Sequence, residues 1–361
     1  MNFEEAPLLV IWETTQACDL ACVHCRACAN PARNPAELST EQAKRMIDMV
    51  RSFGDRTMLV FTGGDPLKRV DLYDQIRYAV GSGIRTNVTP SATPLLTTQV
   101  IDDFQALGIN RMAISLDGAD AETHDRFRQV PGTFDRAMTA LRHAKEIGLD
   151  TQLQTTVTRL NMHQLPQIAE RVAEINGRMW SLFFLIVTGR AQAEQDLTAE
   201  EYEQVFGTLY DLSKVMPFEI KTTEGMHYRR YVARRLAQEH GPDAAHTREV
   251  MYRTAGVSDG RGFVFVSHTG EIYPSGFLPL SAGNVKRDSL VDVYRNSPLF
   301  RSLRDTSQRG GKCGDCEYTK LCGGSRARAY ALTGDYLAQD PRCVYIPARS
   351  IAKAEPALVG A

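Results

Sequence analysis

The chain has 361 residues, with 42 basic and 43 acidic side chains and a formal net charge of −1. This balance gives no sign of a surface for nucleic acid or for an anionic membrane. The longest apolar stretch, residues 180–187, is too short to span a bilayer. The first residues contain no secretory signal, so a cytoplasmic location is expected.

Short β-rich segments alternate with amphipathic helical segments through the first half of the chain. We expect six strands, over residues 8–13, 58–62, 85–89, 112–116, 151–157 and 181–187. Six strand–helix repeats predict right-handed crossovers and therefore an α/β fold with a parallel sheet. Periodicity does not tell whether the sheet curves into a barrel. In either arrangement, chemistry belongs at the carboxyl ends of the strands.

Three of the expected helices have clear signals. One begins at Ser39, with Gln42 completing a capping box. The others cover residues 133–147 and 198–214. Their inward-facing residues recur at helical spacing: Ala43, Met46, Ile47 and Val50 in the first, Phe134, Ala137, Leu141 and Ala144 in the second, and Tyr202, Val205, Phe206 and Leu209 in the third.

The most informative motif directly follows the first expected strand. Cys18, Cys22 and Cys25 form a C-x3-C-x2-C run. Three thiolates on one short loop can hold three irons of a [4Fe–4S] cube and leave the fourth iron open to a small molecule. His24 and Cys28 lie on the same loop, so zinc also remains possible on ligand count, as does a ligand set that includes Cys28.

Small polar residues follow the next strands. Gly63, Gly64 and Asp65 end the second strand, Asn87 is in the third, and Ser115 and Asp117 end the fourth. Each group alone fits an ordinary turn. Together, and next to a cysteine loop, they indicate a binding site at one edge of the sheet, because glycine lets the backbone approach a ligand closely.

The second half of the chain differs from the first. Residues 215–255 are polar and charged and are expected to form a bridge, and residues 263–273 have the pattern of a hairpin, followed by a helix over 290–303. Four cysteines then form a C-x2-C-x5-C-x20-C pattern. They are Cys313, Cys316, Cys322 and Cys343. Four thiolates can fully ligate one cube or one zinc ion.

The cysteine run, the GGDP turn and the SLDG segment together resemble the radical S-adenosylmethionine (SAM) superfamily. The resemblance implies a partial (β/α)6 TIM-like barrel, and an enzyme that reductively cleaves SAM and abstracts hydrogen from an unactivated C–H bond. It also implies site residues. Cys18, Cys22 and Cys25 are expected to ligate the cluster that cleaves SAM, Cys28 is expected to be a free thiol, and the expected SAM contacts are Gly63, Gly64, Asp65, Asn87, Ser115 and Asp117.

The C-terminal cysteine pattern resembles the SPASM/Twitch-type module that carries auxiliary clusters. This implies that Cys313, Cys316, Cys322 and Cys343 hold an auxiliary [4Fe–4S] cluster. A second auxiliary cluster would need cysteines near Ser275 and Arg326, and both positions lack them. We therefore expect a single auxiliary cluster. The resemblance divides the chain into a radical SAM barrel (1–195), a helical bridge (196–255) and an auxiliary-cluster domain (256–361).

Several strings, among them CVHCRACA, FLIVTGRA and CGGSRARAYALTGDY, are most similar to tetrapyrrole-modifying enzymes of the heme b synthase type. This implies a role in heme side-chain modification, with flavodoxin or ferredoxin as electron donor. The alternatives are a maturase of ribosomally made peptides and a non-catalytic Fe–S or zinc scaffold. Arg229 and Arg230 lie in a basic run that would suit substrate carboxylates, although a solvated helix face is the commoner explanation.

Overall fold

The computed structural model describes residues 2–241 and 256–354. Its centre is a ten-stranded sheet with the order β10-β9-β8-β1-β2-β3-β4-β5-β6-β7. The strands are Leu9–Glu13 (β1), Met58–Thr62 (β2), Arg85–Val88 (β3), Arg111–Ser115 (β4), Thr151–Val157 (β5), Met179–Phe184 (β6), Glu219–Thr223 (β7), Phe263–Val266 (β8), Glu271–Tyr273 (β9) and Gly283–Asn284 (β10). All neighbours from β8 through β1 to β7 are parallel, and β9 and β10 are antiparallel additions.

Helices follow most of the parallel strands. They are Thr40–Arg51 (α1), Leu72–Gly81 (α2), Thr98–Ala106 (α3), Ala121–Arg128 (α4), Thr133–Glu146 (α5), Leu165–Glu174 (α6), Ala199–Val215 (α7), Tyr228–His240 (α8), Leu290–Asn296 (α9), Pro298–Arg304 (α10), Gly311–Asp315 (α11), Arg326–Thr333 (α12) and Ala348–Ala354 (α13). The expected α/β fold with a parallel sheet is confirmed. Among the described residues, no helix is both long enough and apolar enough to cross a membrane.

The six expected strands are all present, and the helix signals hold in detail. The Ser39–Gln42 capping box forms at the start of α1, whose four expected inward residues are all buried. In α5, Ala137, Leu141 and Ala144 are buried. Phe134 is only partly buried. Apolar faces of this kind cover the parallel strands and form one continuous core with them.

The region expected as a helical bridge contains a strand. Residues Glu219–Thr223 form β7, which pairs in parallel with β6 at the edge of the sheet. Its sequence, EIKTT, is mostly polar. An edge strand needs no continuous apolar run, so hydrophobic pattern alone did not reveal it. Residues 242–255 of the expected bridge lie outside the described residues.

The expected hairpin is present as β8 and β9, and it joins the main sheet. Phe263 pairs with Leu9, and Val266 pairs with Trp12, in parallel register. The expected single helix over 290–303 is wrong, because it is divided at Pro298. Ser297 ends α9 and caps α10, with Pro298 at the first turn, where a missing N–H costs no hydrogen bond.

Candidate active site and second cysteine cavity

The cysteine loop follows β1 at the carboxyl edge of the sheet and borders a cavity of about 220 Å³, here called the first cavity. The side chains of Cys18, Cys22 and Cys25 line it. Cys28 does not line it, and its side chain is exposed. The loop is closed by a backbone hydrogen bond of 2.8 Å from Cys18 N to Asn30 O. The structure therefore brings three of the four loop cysteines together around one space.

The sulfur atoms of this loop receive backbone N–H groups. Leu20 N lies 3.4 Å from Cys18 Sγ, and Ala29 N lies 3.4 Å from Cys25 Sγ. Burial raises the pKa of Cys18 to about 11, so as a free thiol it is protonated at neutral pH. A bound metal would deprotonate it, and the N–H donors would then stabilise the ligating thiolates. This donor set fits an iron–sulfur cluster.

The glycine turn after β2 packs against the chain that enters the cysteine loop. A Cβ atom on Gly63 would lie 2.5 Å from Thr15 O, and one on Gly64 would lie 2.5 Å from Ala17 O. Both contacts are shorter than any side chain tolerates, so the close approach requires glycine. Gly63 and Gly64 also line the first cavity, and the backbone of Gly64 is held there by hydrogen bonds from its N–H to Thr15 O at 2.9 Å and from Ser91 Oγ to its carbonyl oxygen at 2.7 Å.

Asp65, the third residue of that turn, faces away from the first cavity. Its carboxylate is fully buried and accepts hydrogen bonds from Thr93 Oγ1 at 2.7 Å, Leu67 N at 3.2 Å and Ser91 N at 3.4 Å. Burial raises the pKa of Asp65 above its usual value. Asp65 thus connects the turn after β2 to the loop after β3, and Ser91 of that loop lines the cavity instead.

The remaining expected SAM contacts have different positions. Ser115 lines the first cavity, whereas Asn87 and Asp117 do not. Asn87 Oδ1 is buried without a hydrogen-bond partner in the described structure. Asp117 is buried, pairs with the guanidinium of Arg128 and accepts a hydrogen bond from Thr156 N at 2.7 Å.

Arg128 links this buried carboxylate to the cysteine loop. Besides its ion pair with Asp117, it places Nη1 3.6 Å from Cys22 Sγ and lines the first cavity. Sequence reasoning missed it, because its distance along the chain from Cys22 carries no pairing signal. Its charge would stabilise a thiolate at Cys22.

The turn after β6 clamps the cysteine loop from the other side. Gly189 has φ +62°, and a Cβ there would lie 2.4 Å from the carbonyl oxygens of Cys25 and Arg26. Arg190 donates from Nε to Cys22 O and from Nη1 to Ala29 O, both at 2.9 Å. The TGR segment noted in the sequence therefore positions the cysteine loop.

A buried ion pair lies at the edge of the first cavity beside β8. Glu13, at the end of β1, accepts a hydrogen bond from Arg26 Nη2 at 2.6 Å, and its other oxygen lies 2.7 Å from His268 Nδ1. Burial alone would raise the pKa of Glu13, but Arg26 and His268 lower it to about 2. Glu13 is therefore ionised in the folded protein at neutral pH.

Aromatic side chains form the rest of the wall. Phe183 and Phe277, with ring centroids 6.3 Å apart, line the first cavity together with Ile186. Phe277 comes from the chain after β9, so the C-terminal part of the protein contributes to the cavity built on the parallel strands. One side of the cavity is therefore polar and sulfur-rich, and the other is apolar.

The four C-terminal cysteines border a separate cavity of about 30 Å³, here called the second cavity. Asp340 N lies 3.3 Å from Cys313 Sγ, and Gly324 N lies 3.4 Å from Cys322 Sγ. Burial raises the pKa of Cys322 and of Cys343 above the usual value. Four thiols around one space, with N–H groups directed at two of the sulfurs, fit a fully ligated [4Fe–4S] cluster. Among the described residues, no three His, Cys, Asp or Glu side chains are arranged to hold a single metal ion.

Where a further cluster would need cysteines, the structure has other contacts. Ser275 Oγ accepts a hydrogen bond from Phe277 N at 3.1 Å. Arg326 is almost fully buried and donates to the carbonyl oxygens of Tyr336 and Ala338 at 3.0 and 2.6 Å. Its Nη2 lies 3.7 Å from Cys313 Sγ.

The basic run on α8 does not reach the first cavity. Arg229 is mostly surrounded by protein and donates to Val257 O at 2.8 Å, while Arg230 pairs with Glu203 and lines the second cavity. Neither arginine therefore lies beside Cys18, Cys22 and Cys25 to hold substrate carboxylates there. The commoner explanation, a solvated helix face, does not hold for Arg230 either, because its side chain is only 3% exposed. Both form hydrogen bonds within the fold, and Arg230 Nε is buried without a partner in the described residues.

Comparison with known proteins identifies the family of the chain. The family model of the radical SAM superfamily matches residues 12–172. An AdoMet-dependent heme synthase from Oleidesulfovibrio alaskensis is 41% identical over 341 residues, which cover 94% of this chain and 87% of the relative. The mycofactocin maturase MftC of Mycolicibacterium smegmatis is 32% identical, covering 94% and 83%.

Among solved structures, the crystal structure of Streptococcus suis SuiB bound to S-adenosylmethionine superposes with a TM-score of 0.74. The match covers 94% of this chain and 78% of SuiB, at 17% identity. This likeness establishes a shared fold across both halves of the chain.

Proposed function

This chain belongs to the radical SAM superfamily, and on that premise we propose that it is a heme synthase that modifies the carboxylate-bearing side chains of an iron tetrapyrrole. The first cavity carries the proposal. It has three thiols and two cavity-lining glycines on one side, and Phe183, Ile186 and Phe277 on the other. A flat apolar ring with charged side chains needs such a mixed wall.

We propose that Cys18, Cys22 and Cys25 ligate the cluster that binds SAM, and that Gly63, Gly64 and Ser115 border the SAM itself. When bound, the cluster and SAM supply the radical that removes hydrogen from an unactivated C–H bond. In this proposal Asp65, Asn87 and Asp117 do not touch SAM, because they do not line the cavity. Asp65 and Asp117 instead hold the residues around it in place.

The protein's own residues hold and shield the reacting groups. Arg128 and Arg190 fix the cysteine loop through Cys22. Phe183 and Phe277 keep the opposite wall apolar, which excludes water from the reacting carbon. A reductant such as flavodoxin or ferredoxin would deliver the electron, and a cytoplasmic location would keep the thiols reduced.

We propose that Cys313, Cys316, Cys322 and Cys343 hold one auxiliary [4Fe–4S] cluster. Support comes from their shared position around the second cavity and from the four ligands they offer, which leave no iron open. The three-domain division at residues 195 and 255 remains a prediction.

The test is anaerobic turnover of the reconstituted protein with SAM, a reductant and iron coproporphyrin. We expect formation of 5′-deoxyadenosine together with a mass change of the tetrapyrrole, followed by chromatography and mass spectrometry. The control is the triple variant Cys18→Ala, Cys22→Ala, Cys25→Ala, which should form neither product.

Peptide maturation is the second candidate, because MftC is 32% identical over nearly the whole chain. Unchanged tetrapyrrole, with SAM cleavage intact and modification of a peptide encoded near this protein, would replace the heme proposal with peptide maturation.

A further inference from the structure

The side chain of Arg26 is held rigidly at the edge of the first cavity. Its Nη2 donates to Glu13 at 2.6 Å, and its guanidinium carbon lies 4.6 Å from the centre of the Phe265 ring. Gly276 lies against both groups, because an added Cβ there would lie 3.1 Å from the Phe265 ring and 3.3 Å from Arg26 Nε. The residue therefore needs no reordering before it binds a ligand, which lowers the entropic cost of binding.

Two arginines line the first cavity, and they differ in how much hydrogen-bonding capacity remains. Arg128 pairs with Asp117 and lies against the sulfur of Cys22, and its Nε, which has no partner in the described residues, is buried. Arg26 uses Nη2 for Glu13, and in the described part of the chain its Nε and Nη1 have no acceptor. Its side chain is 25% exposed. A guanidinium has five N–H donors, so most donors of this cavity-lining arginine have no acceptor in the described part of the chain.

Glu13 holds Arg26 without competing for the cavity side. The second oxygen of Glu13 is bonded to His268, and Glu13 itself does not line the first cavity. The negative charge thus lies behind the guanidinium, on the side of β1 and the β8–β9 turn.

We propose that Arg26 forms a carboxylate subsite of the first cavity and binds a propionate group of the tetrapyrrole; this inference rests on the proposed heme synthase function. Gly276 lies against Arg26 and is followed directly by Phe277, so the subsite adjoins the aromatic wall. A ring lying on Phe277 places a carboxylate on its edge within reach of Arg26. Arginine suits this role because its donors match carboxylate geometry.

SAM also carries a carboxylate, and the position of Arg26 favours the substrate. Arg26 packs against Phe265 of β8, on one side of β1. Gly63, Gly64 and Ser115, the proposed neighbours of SAM, follow β2 or end β4, on the other side of β1. Substrate and SAM would thus approach the cysteine loop from opposite sides.

The test measures binding of iron coproporphyrin and of SAM, separately, to reconstituted wild-type, R26Q, R26K and R33Q protein. Arg33 is the matched control, because it lies on the same loop and pairs with Glu37 but does not line the first cavity. We expect R26Q to weaken tetrapyrrole binding roughly tenfold to a hundredfold, the loss of a hydrogen-bonded charge pair. SAM binding should stay unchanged, R26K should restore part of the loss, and R33Q should resemble wild type.

A neutral ligand gives an independent measurement on the unmodified protein. The methyl ester of iron coproporphyrin should bind wild type more weakly than the free acid, and R26Q should not distinguish the two. Equal binding of ester and acid by wild type overturns the inference even if R26Q fails to incorporate iron. The inference is also overturned if R26Q binds SAM more weakly but the tetrapyrrole as tightly as wild type does, or if it binds both ligands as tightly as wild type does. A wild-type protein that binds no tetrapyrrole would instead overturn the proposed function on which the inference rests.

Discussion

Among single residues, Cys28 is the one whose role the sequence left most open. It lies three positions after Cys25, yet its side chain is exposed, its φ is +47° and it does not line the first cavity. We expect the Cys18, Cys22, Cys25 triple alanine variant to lose about four irons and all SAM cleavage. Cys28→Ala should keep both, as measured by iron analysis and 5′-deoxyadenosine formation.

The opposite result would identify a different ligand set. If Cys28→Ala abolishes SAM cleavage while Cys18→Ala does not, the cluster is held by Cys22, Cys25 and Cys28 and the proposed ligands are wrong.

His124 makes a pH-dependent contribution to stability. Its Nδ1 accepts a hydrogen bond from Asp117 N at 3.0 Å, and burial lowers the pKa of His124 to about 3. The unfolded chain takes up a proton near pH 6.5 and the folded one does not. Stability from this residue is therefore complete above that pH and falls as the pH drops toward 3. We expect a loss of about 1.4 kcal/mol in unfolding free energy one pH unit below 6.5.

The variant His124→Asn separates this contribution from others. Asparagine offers an acceptor in a similar place but does not titrate, so its unfolding free energy should depend less on pH. The pKa of buried His227 is also lowered to about 3. Since His227 is present in both proteins, the difference between them reports on His124. Identical pH profiles by denaturant unfolding would show that His124 does not titrate as expected.

Among the elements, the turn after β6 has the clearest structural task. Gly189 combines a positive φ with contacts to the backbone of the cysteine loop, whereas Gly148 has φ +75° with nothing within 4 Å of an added Cβ. We expect Gly148→Ala to cost about 1–2 kcal/mol of stability through backbone strain alone. Gly189→Ala should cost more and should lower the iron content, because the loop must move away from the turn.

Comparing Gly189→Ala with Gly148→Ala distinguishes backbone strain at a positive φ from displacement of the cysteine loop. Equal stability and equal iron content in the two variants would mean that the turn after β6 does not position the cysteine loop.

At the scale of the whole molecule, the two cysteine cavities predict the metal content. Ser275 and Arg326 occupy the positions where a further cluster would need cysteines, and both are held by hydrogen bonds to their surroundings. Anaerobically reconstituted protein should contain about eight irons in two cubes. Iron analysis with Mössbauer spectroscopy checks this number. A value near twelve contradicts a single auxiliary cluster, and stoichiometric zinc would assign the second cavity to zinc.

Much of the architecture is local and was therefore predictable. The strand positions, the Ser39 cap and the buried faces of α1 and α7 depend on residues close in the chain. The strand β7 was missed because its sequence is polar and it lies at the sheet edge. The division at Pro298 was visible in the sequence, since proline cannot continue a helix, but the apolar pattern on both sides hid it.

By itself, the sequence determined the chemistry available: three closely spaced thiols after a strand, four more near the C-terminus, and glycines where the backbone comes close. Only the tertiary structure decided which groups meet. Arg26, Glu13 and His268 converge because β8 pairs in parallel with β1, although Glu13 and His268 are 255 positions apart. Tertiary structure also decided that Arg229 and Arg230 contact Val257 and Glu203 and do not reach the first cavity. Spacing encodes short-range ligand sets, whereas long-range partners depend on sheet register, which no local pattern specifies.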